Sequence, residues 1–152
     1  MRFINKNRFW RELLTKYPNH SRRHWFAVSV FRKKGYGFVT PSRKYGTTMR
    51  INKTIEVLTC IGAKYPLVVF PDICHGWRGL PATRKYSPIE INGKTELEEL
   101  LRNHVYRPED KRDEDYHITD TTHRWFIVLF SDGSWYFIGR DKLLSSIAPI
   151  VD

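Results

Sequence analysis

Arg124-Trp125-Phe126-Ile127-Val128-Leu129-Phe130, Ser131-Asp132-Gly133-Ser134 and Trp135-Tyr136-Phe137-Ile138 follow one another directly. Two runs rich in aromatic and β-branched residues flank a turn whose Asp-Gly pair tolerates the positive φ angles of a tight hairpin. The segment therefore predicts two antiparallel strands. Asp141 comes next as a candidate N-cap for a helix bearing Leu143, Leu144 and Ile147, with Pro149 ending it. The unit is a hairpin followed by a helix. Built from two or three such units, the fold class is α+β: a mainly antiparallel sheet with helices covering one face, behind an N-terminal basic helix.

The same order recurs upstream. Leu67-Val68-Val69-Phe70 predicts a buried strand, and residues 25–31, with Val28-Ser29-Val30-Phe31 at their centre, predict another. Arg32-Lys33-Lys34-Gly35 reads as a turn, and Tyr36-Gly37-Phe38-Val39-Thr40 as the returning strand, stopped by Pro41. Residues 35–46 align without a gap on residues 76–87, sharing the first glycine, an aromatic at Tyr36 and Trp77, and Arg-Lys-Tyr at 43–45 and 84–86. Ile51-Asn52-Lys53-Thr54 then matches Ile91-Asn92-Gly93-Lys94-Thr95 across one inserted glycine, and each copy leads into a helical stretch, 55–63 and 96–104. The expectation is one domain over 1–152, with an internal repeat at 24–65 and 66–107 and a shorter third unit at 124–149. Residues 6–17 predict the leading helix. Phe9, Leu13 and Leu14 share one face, Arg8, Arg11 and Lys16 decorate the rest, and Pro18 ends it. Residues 107–123 begin with a charged run lacking any aliphatic residue and read as an exposed loop.

Charge narrows the partners. Thirteen of the first fifty residues are Lys or Arg against a single acid, Glu12, whereas residues 108–152 hold nine acids and five bases. The net charge of +10 thus resides in the first third of the chain. Such a field attracts polyanions and speeds their encounter, with nucleic acid the foremost candidate. A hydrophobic content of 41% argues against global disorder. No apolar run approaches the ~18 residues of a membrane span, and residues 1–8 lack the apolar stretch of a signal peptide. A cytoplasmic chain with no membrane partner is expected. Cys60 and Cys74 are too few for a disulfide scaffold and read as free thiols.

Lys34-Gly35-Tyr36-Gly37-Phe38-Val39-Thr40-Pro41 is the sharpest short motif. It resembles the first ribonucleoprotein signature of RRM domains in six positions, and it is similar to the Lys-Gly-Phe-Gly-Phe-Ile-Thr-Pro run of cold-shock domains, which also follows a strand containing Trp-Phe. The resemblance ends with residue 41. Gly46-Thr47-Thr48-Met49-Arg50-Ile51-Asn52 carries no second aromatic signature, so the reading is of a shared motif and not of family membership. The motif implies that glycines leave one strand face uncluttered while Tyr36 and Phe38 stack on bases. Such stacking is worth roughly 1–3 kcal/mol per base.

The function expected from these features is non-catalytic binding of single-stranded RNA or DNA. Arg22, Arg23, Arg32, Lys33, Lys34, Arg43, Lys44 and Arg50 would hold phosphates, joined by Arg84 and Lys85 if the two units face the same way. Lys6, Arg8 and Arg11 would extend this track, and Tyr36, Phe38, Tyr45 and Trp77 would offer rings. No cofactor and no metal is expected.

One alternative is a small nuclease. It would draw on His20, His24, His75, His104, His117 or His123 as acid or base, or on a metal-dependent pattern of Pro71-Asp72 with Glu90 and Lys94 at imperfect spacing. Another is an adaptor or inhibitor that docks on an acidic protein surface. Gly-rich phosphate loops, nucleophile elbows and dinucleotide fingerprints are absent from the sequence.

Overall fold

The computed structural model describes residues 1–22, 26–33, 37–41, 45–72, 76–77, 79–106, 115–130 and 135–151, without the side chains of 31–33 and 38. The fold is α+β. Seven strands form one sheet in the order β1-β4-β3-β5-β6-β7-β2, and every pairing is antiparallel. They are β1 (Arg2–Phe3), β2 (Gly37–Val39), β3 (Leu67–Pro71), β4 (Ile89–Ile91), β5 (Tyr116–Asp120), β6 (Phe126–Leu129) and β7 (Trp135–Gly139). The helices are α1 (Lys6–Lys16), α2 (Phe26–Lys33), α3 (Thr47–Cys60), α4 (Lys94–Leu100) and α5 (Asp141–Val151). A π-type turn, Leu101–Val105, prolongs α4.

Alternation along the strands sorts side chains to two faces, and both are covered. Leu67, Val69, Tyr116, Ile118, Ile127 and Leu129 pack with Ile51, Val57 and Leu58 of α3, Leu97 and Leu100 of α4, and Ile147 and Val151 of α5. Val68, Phe70, Phe126, Val128 and Ile138 pack with Phe9, Trp10 and Leu13 of α1, Tyr17 beyond it, and Phe26, Ala27 and Val30 of α2. The sheet is therefore the middle of three layers. Helices on both faces replace the single covering layer expected from the sequence.

Two segments differ in kind from their sequence reading. The expected strand at 25–31 is α2, and its buried residues Phe26, Ala27 and Val30 follow a helical i, i+1, i+4 spacing. In consequence β2 has no hairpin partner upstream. It pairs with β7 instead, Phe38 standing opposite Ile138. Residues 107–123 are also more than a loop. Residues 107–114 lie outside the description, but Tyr116–Asp120 is the central strand of the sheet, between β3 and β6.

The aligned halves of the expected repeat take different elements. Val28 and Val30 lie in a helix where Leu67–Phe70 is a strand, and Ile51–Thr54 lie inside α3 where Ile91–Thr95 pass from β4 to α4. Two hairpin–helix units do form, β3-β4-α4 and β6-β7-α5. Pro149 falls inside the last turn of α5 instead of ending it.

Polar contacts tie α3 to α5 and to the sheet. The Tyr45 hydroxyl donates to the Val151 carbonyl, and Lys53 Nζ donates to the Ile150 carbonyl at 2.6 Å. A hydroxyl and a cation thus satisfy carbonyls that a helix C-terminus leaves open. Trp135 Nε1 donates to Thr54 Oγ1 at 3.0 Å, and Thr54 in turn donates to the Arg50 carbonyl. Gly37 has a steric reason: a Cβ there would lie 2.7 Å from Leu144 Cδ1 of α5. Its absent side chain lets α5 approach that face of β2.

Because Ile118 is fully buried in the central strand, Ile118→Ala should lower the unfolding free energy by about 2–5 kcal/mol in a denaturant titration. A loss under about 1 kcal/mol would mean that β5 is not packed as described.

Candidate nucleic-acid interface

α1 owes its orientation to rings. Asn5 caps it by accepting from the Arg8 N–H at 3.0 Å. Phe9 lies 4.8 Å from Phe70 between ring centroids, Trp10 5.3 Å from Phe26, and the Tyr17 hydroxyl donates to the His123 carbonyl. With that face committed to the sheet, Lys6, Arg8, Arg11 and Lys16 are left exposed. Arg8 pairs with Glu12 at 3.0 Å. Lys6, Arg11 and Lys16 form no ion pair among the described residues, and the Arg22 guanidinium lies 5.3 Å above the Trp10 ring.

The two helical layers differ sharply in charge. α1 and α2 together carry six basic residues and one acid, Glu12. The opposite layer (α3, α4 with its π-type turn, and α5) carries five basic and five acidic residues. Among the described helices, the positive excess therefore lies in the α1–α2 layer.

A second cluster forms where β1 meets the 76–87 loop. Gly76 has φ +76°, and a Cβ there would stand 2.3 Å from the Lys85 carbonyl oxygen. Trp77 closes the loop, its backbone N–H donating to the Lys85 carbonyl and its Nε1 to the Ser87 carbonyl, both at 2.6 Å. The turn Ala82–Arg84 is left projecting. Arg84 lies 5.2 Å over the Phe3 ring, and Lys85 and Lys6 lie 5.6 and 5.8 Å from the centre of the Tyr86 ring. Arg2 pairs with Glu90 at 3.0 Å, and the N-terminal ammonium with Glu96 at 3.2 Å. The Asn92 backbone N–H and that ammonium hold the Glu96 carboxyl below its usual range. Lys6 therefore joins α1 to Arg84 and Lys85.

Several expected site residues are used otherwise. Tyr45 is buried with its hydroxyl on the end of α5, and Trp77 is buried against Tyr116 at 4.9 Å, so neither offers a free ring. Arg50 lies in the opposite layer, its guanidinium 4.2 Å over Tyr106, away from α1. Burial pushes the Tyr106 phenol up, against the opposing pull of Arg50. Arg32 and Lys33 fall in the last turn of α2 and Phe38 in β2, their side chains outside the description. Arg23, Lys34, Tyr36, Arg43 and Lys44 lie outside the described residues altogether. The sequence reading passed over Arg2 and Phe3. Tyr86 it saw only as the third member of Arg-Lys-Tyr; the triplet was the available signal, and nothing marked Phe3.

Glu90 and Lys94 of the metal-dependent nuclease pattern each have another ion-pair partner. Asp72 follows β3, while Glu90 stands opposite Val68 and binds Arg2, and Lys94 pairs with Glu98 on α4. His117 is buried in β5 and stacks on Phe70 at 4.6 Å. His24, His75 and Cys74 lie outside the described residues. Among the described residues no three His, Cys, Asp or Glu side chains are grouped to hold a metal ion, and no helix is long and apolar enough to cross a membrane. Comparison with family models, with curated proteins and with solved structures finds no match to this chain.

His123 sits behind α1 at φ 52°, nearly buried, with its ring 5.9 Å from Phe9. Burial lowers its pKa, helped by Lys16 and opposed by Asp120 and Glu12. The ring is thus held neutral in the folded chain where an unfolded chain would already bind a proton. The related stability is complete above the ordinary histidine value and falls as pH drops through it toward the lower folded value. Asn tolerates the same backbone conformation. His123→Asn should accordingly lose less stability than the parent between pH 7 and pH 5 in paired denaturant titrations, whereas parallel losses would show that His123 is not held neutral.

Proposed function

We propose that this chain is a non-catalytic nucleic-acid-binding protein that holds a phosphate backbone along the outer surface of α1 and α2. One observation carries the reading: six basic residues against one acid in that helical layer, facing a balanced layer across the sheet. Lys6, Arg11 and Lys16 are exposed and free of acidic partners among the described residues, so their charge is directed to solvent and to whatever polyanion approaches. Cations on a rigid helix displace the counterions condensed on a phosphate chain, which supplies affinity without sequence readout.

Such binding weakens with salt in proportion to the phosphates neutralised. Purified protein should bind labelled oligonucleotides at low salt, leave them uncut, and release them as salt rises. Arg11→Ala combined with Lys16→Ala removes two contacts from exposed helix positions at little cost to the helix. The slope of log affinity against log salt should fall by roughly 1.5 for the double variant. An unchanged slope would remove α1 from the interface. Cut probes would assign the chain to the nucleases, and capture of acidic proteins without oligonucleotide binding would assign it to protein docking.

A further inference from the structure

Phe3 and Tyr86 have no part in either apolar layer. Phe3 is 37% exposed, one of the large apolar side chains left in solvent among the described residues, and Tyr86 is half-buried. Neither is a casual placement. Phe3 is set opposite Ile89 by β1–β4 pairing, and Tyr86 directly follows Lys85, whose carbonyl is fixed by the Trp77 N–H. Around the two rings stand three cations, Lys6, Arg84 and Lys85, each within 6 Å of a ring centre. None of the three has an acidic partner among the described residues, and Glu90 and Glu96 pair with Arg2 and the N-terminal ammonium.

We propose that Phe3 and Tyr86, with Lys6, Arg84 and Lys85, form a platform for an unpaired nucleobase and its phosphate, which makes the ligand of this chain single-stranded. The inference rests on the function proposed above and names its substrate class. A phosphate held by one of these cations carries its base only one sugar away, within reach of a ring that the same cation already approaches. Base faces inside a duplex are already stacked on one another and gain nothing from an exposed ring, whereas an unpaired base gains about 1–3 kcal/mol per stack. The platform also borders Lys6 at the start of α1, the helix that carries the exposed Arg11 and Lys16.

The test compares a ten-nucleotide oligothymidylate and a ten-base-pair duplex, with a polyglutamate peptide as the acidic-protein control. Tyr86→Ala and, separately, Phe3→Ala at the sheet edge should each weaken oligothymidylate binding about fivefold or more. Tyr86→Phe should keep parental affinity, and duplex binding should change less than twofold for all three. Thermal melting verifies that each variant is folded, and Phe3→Ala serves if Tyr86→Ala does not fold. Equal weakening on single strand and duplex, or no weakening on single strand, would overturn the platform. If the Arg11→Ala, Lys16→Ala variant still loses affinity in that case, the phosphate-binding reading stands without it. No binding of either oligonucleotide by the parent chain, or equal binding of polyglutamate, would overturn both.

Discussion

Hydrogen bonding of β5 to β3 on one side and to β6 on the other joins two triplets of strands, β1-β4-β3 and β6-β7-β2. Without that strand the first triplet would have no edge on which to meet the second. Its side chains serve both layers at once. Tyr116 and Ile118 enter the packing beneath α3, α4 and α5, while His117 stacks on Phe70 beneath α1. Thr119 is kept in an apolar setting by donating to the Trp125 carbonyl at 2.7 Å, which removes the cost of burying its hydroxyl. The basic helix thus packs on a sheet whose pairing closes about a hundred residues after it in the chain.

How much of this was legible follows from which contacts are local. β6, its Asp-Gly turn and β7 lie side by side in sequence, and so does the helix Asp141 opens; each signal sat within a few residues of its consequence. α1 was legible for a similar reason, since its apolar face repeats within a single element. β2 was found as a strand but not its partner, because β7 lies about a hundred residues away and no residue type encodes that distance.

α2 and β5 were misread for complementary reasons. Four of the eight residues of α2 are aromatic or β-branched, a composition that favours strands. The helix wins because Phe26, Ala27 and Val30 fall on one side and bury against Val128, Phe126 and Ile138, and tertiary burial outweighs local preference. Over so short a run, periodicity cannot separate the two. In β5 the difficulty is polarity. His117, Thr119 and Asp120 look like solvent-facing residues after a charged run, and that inference holds only when a strand has one wet face. Here a second helical layer covers the other face, so the error about β5 and the error about α2 have a common source: the layer formed by α1 and α2.

That same layer governs the functional reading. Along the sequence the positive charge looks like a property of one end of the chain, suited to a string of turns gripping a backbone. In the folded chain Arg50 lies in the opposite layer and Tyr45 and Trp77 in the interior, while Lys85 shares the Tyr86 ring with Lys6 and Arg84 lies over Phe3. Among the described helices, charge divides by layer. Under the proposed function, charge balanced in one layer and unbalanced in the other would give a polyanion a single side from which to approach. Under the same proposal, two partly exposed rings at the end of a basic helix would distinguish among polyanions that the helix alone would accept equally.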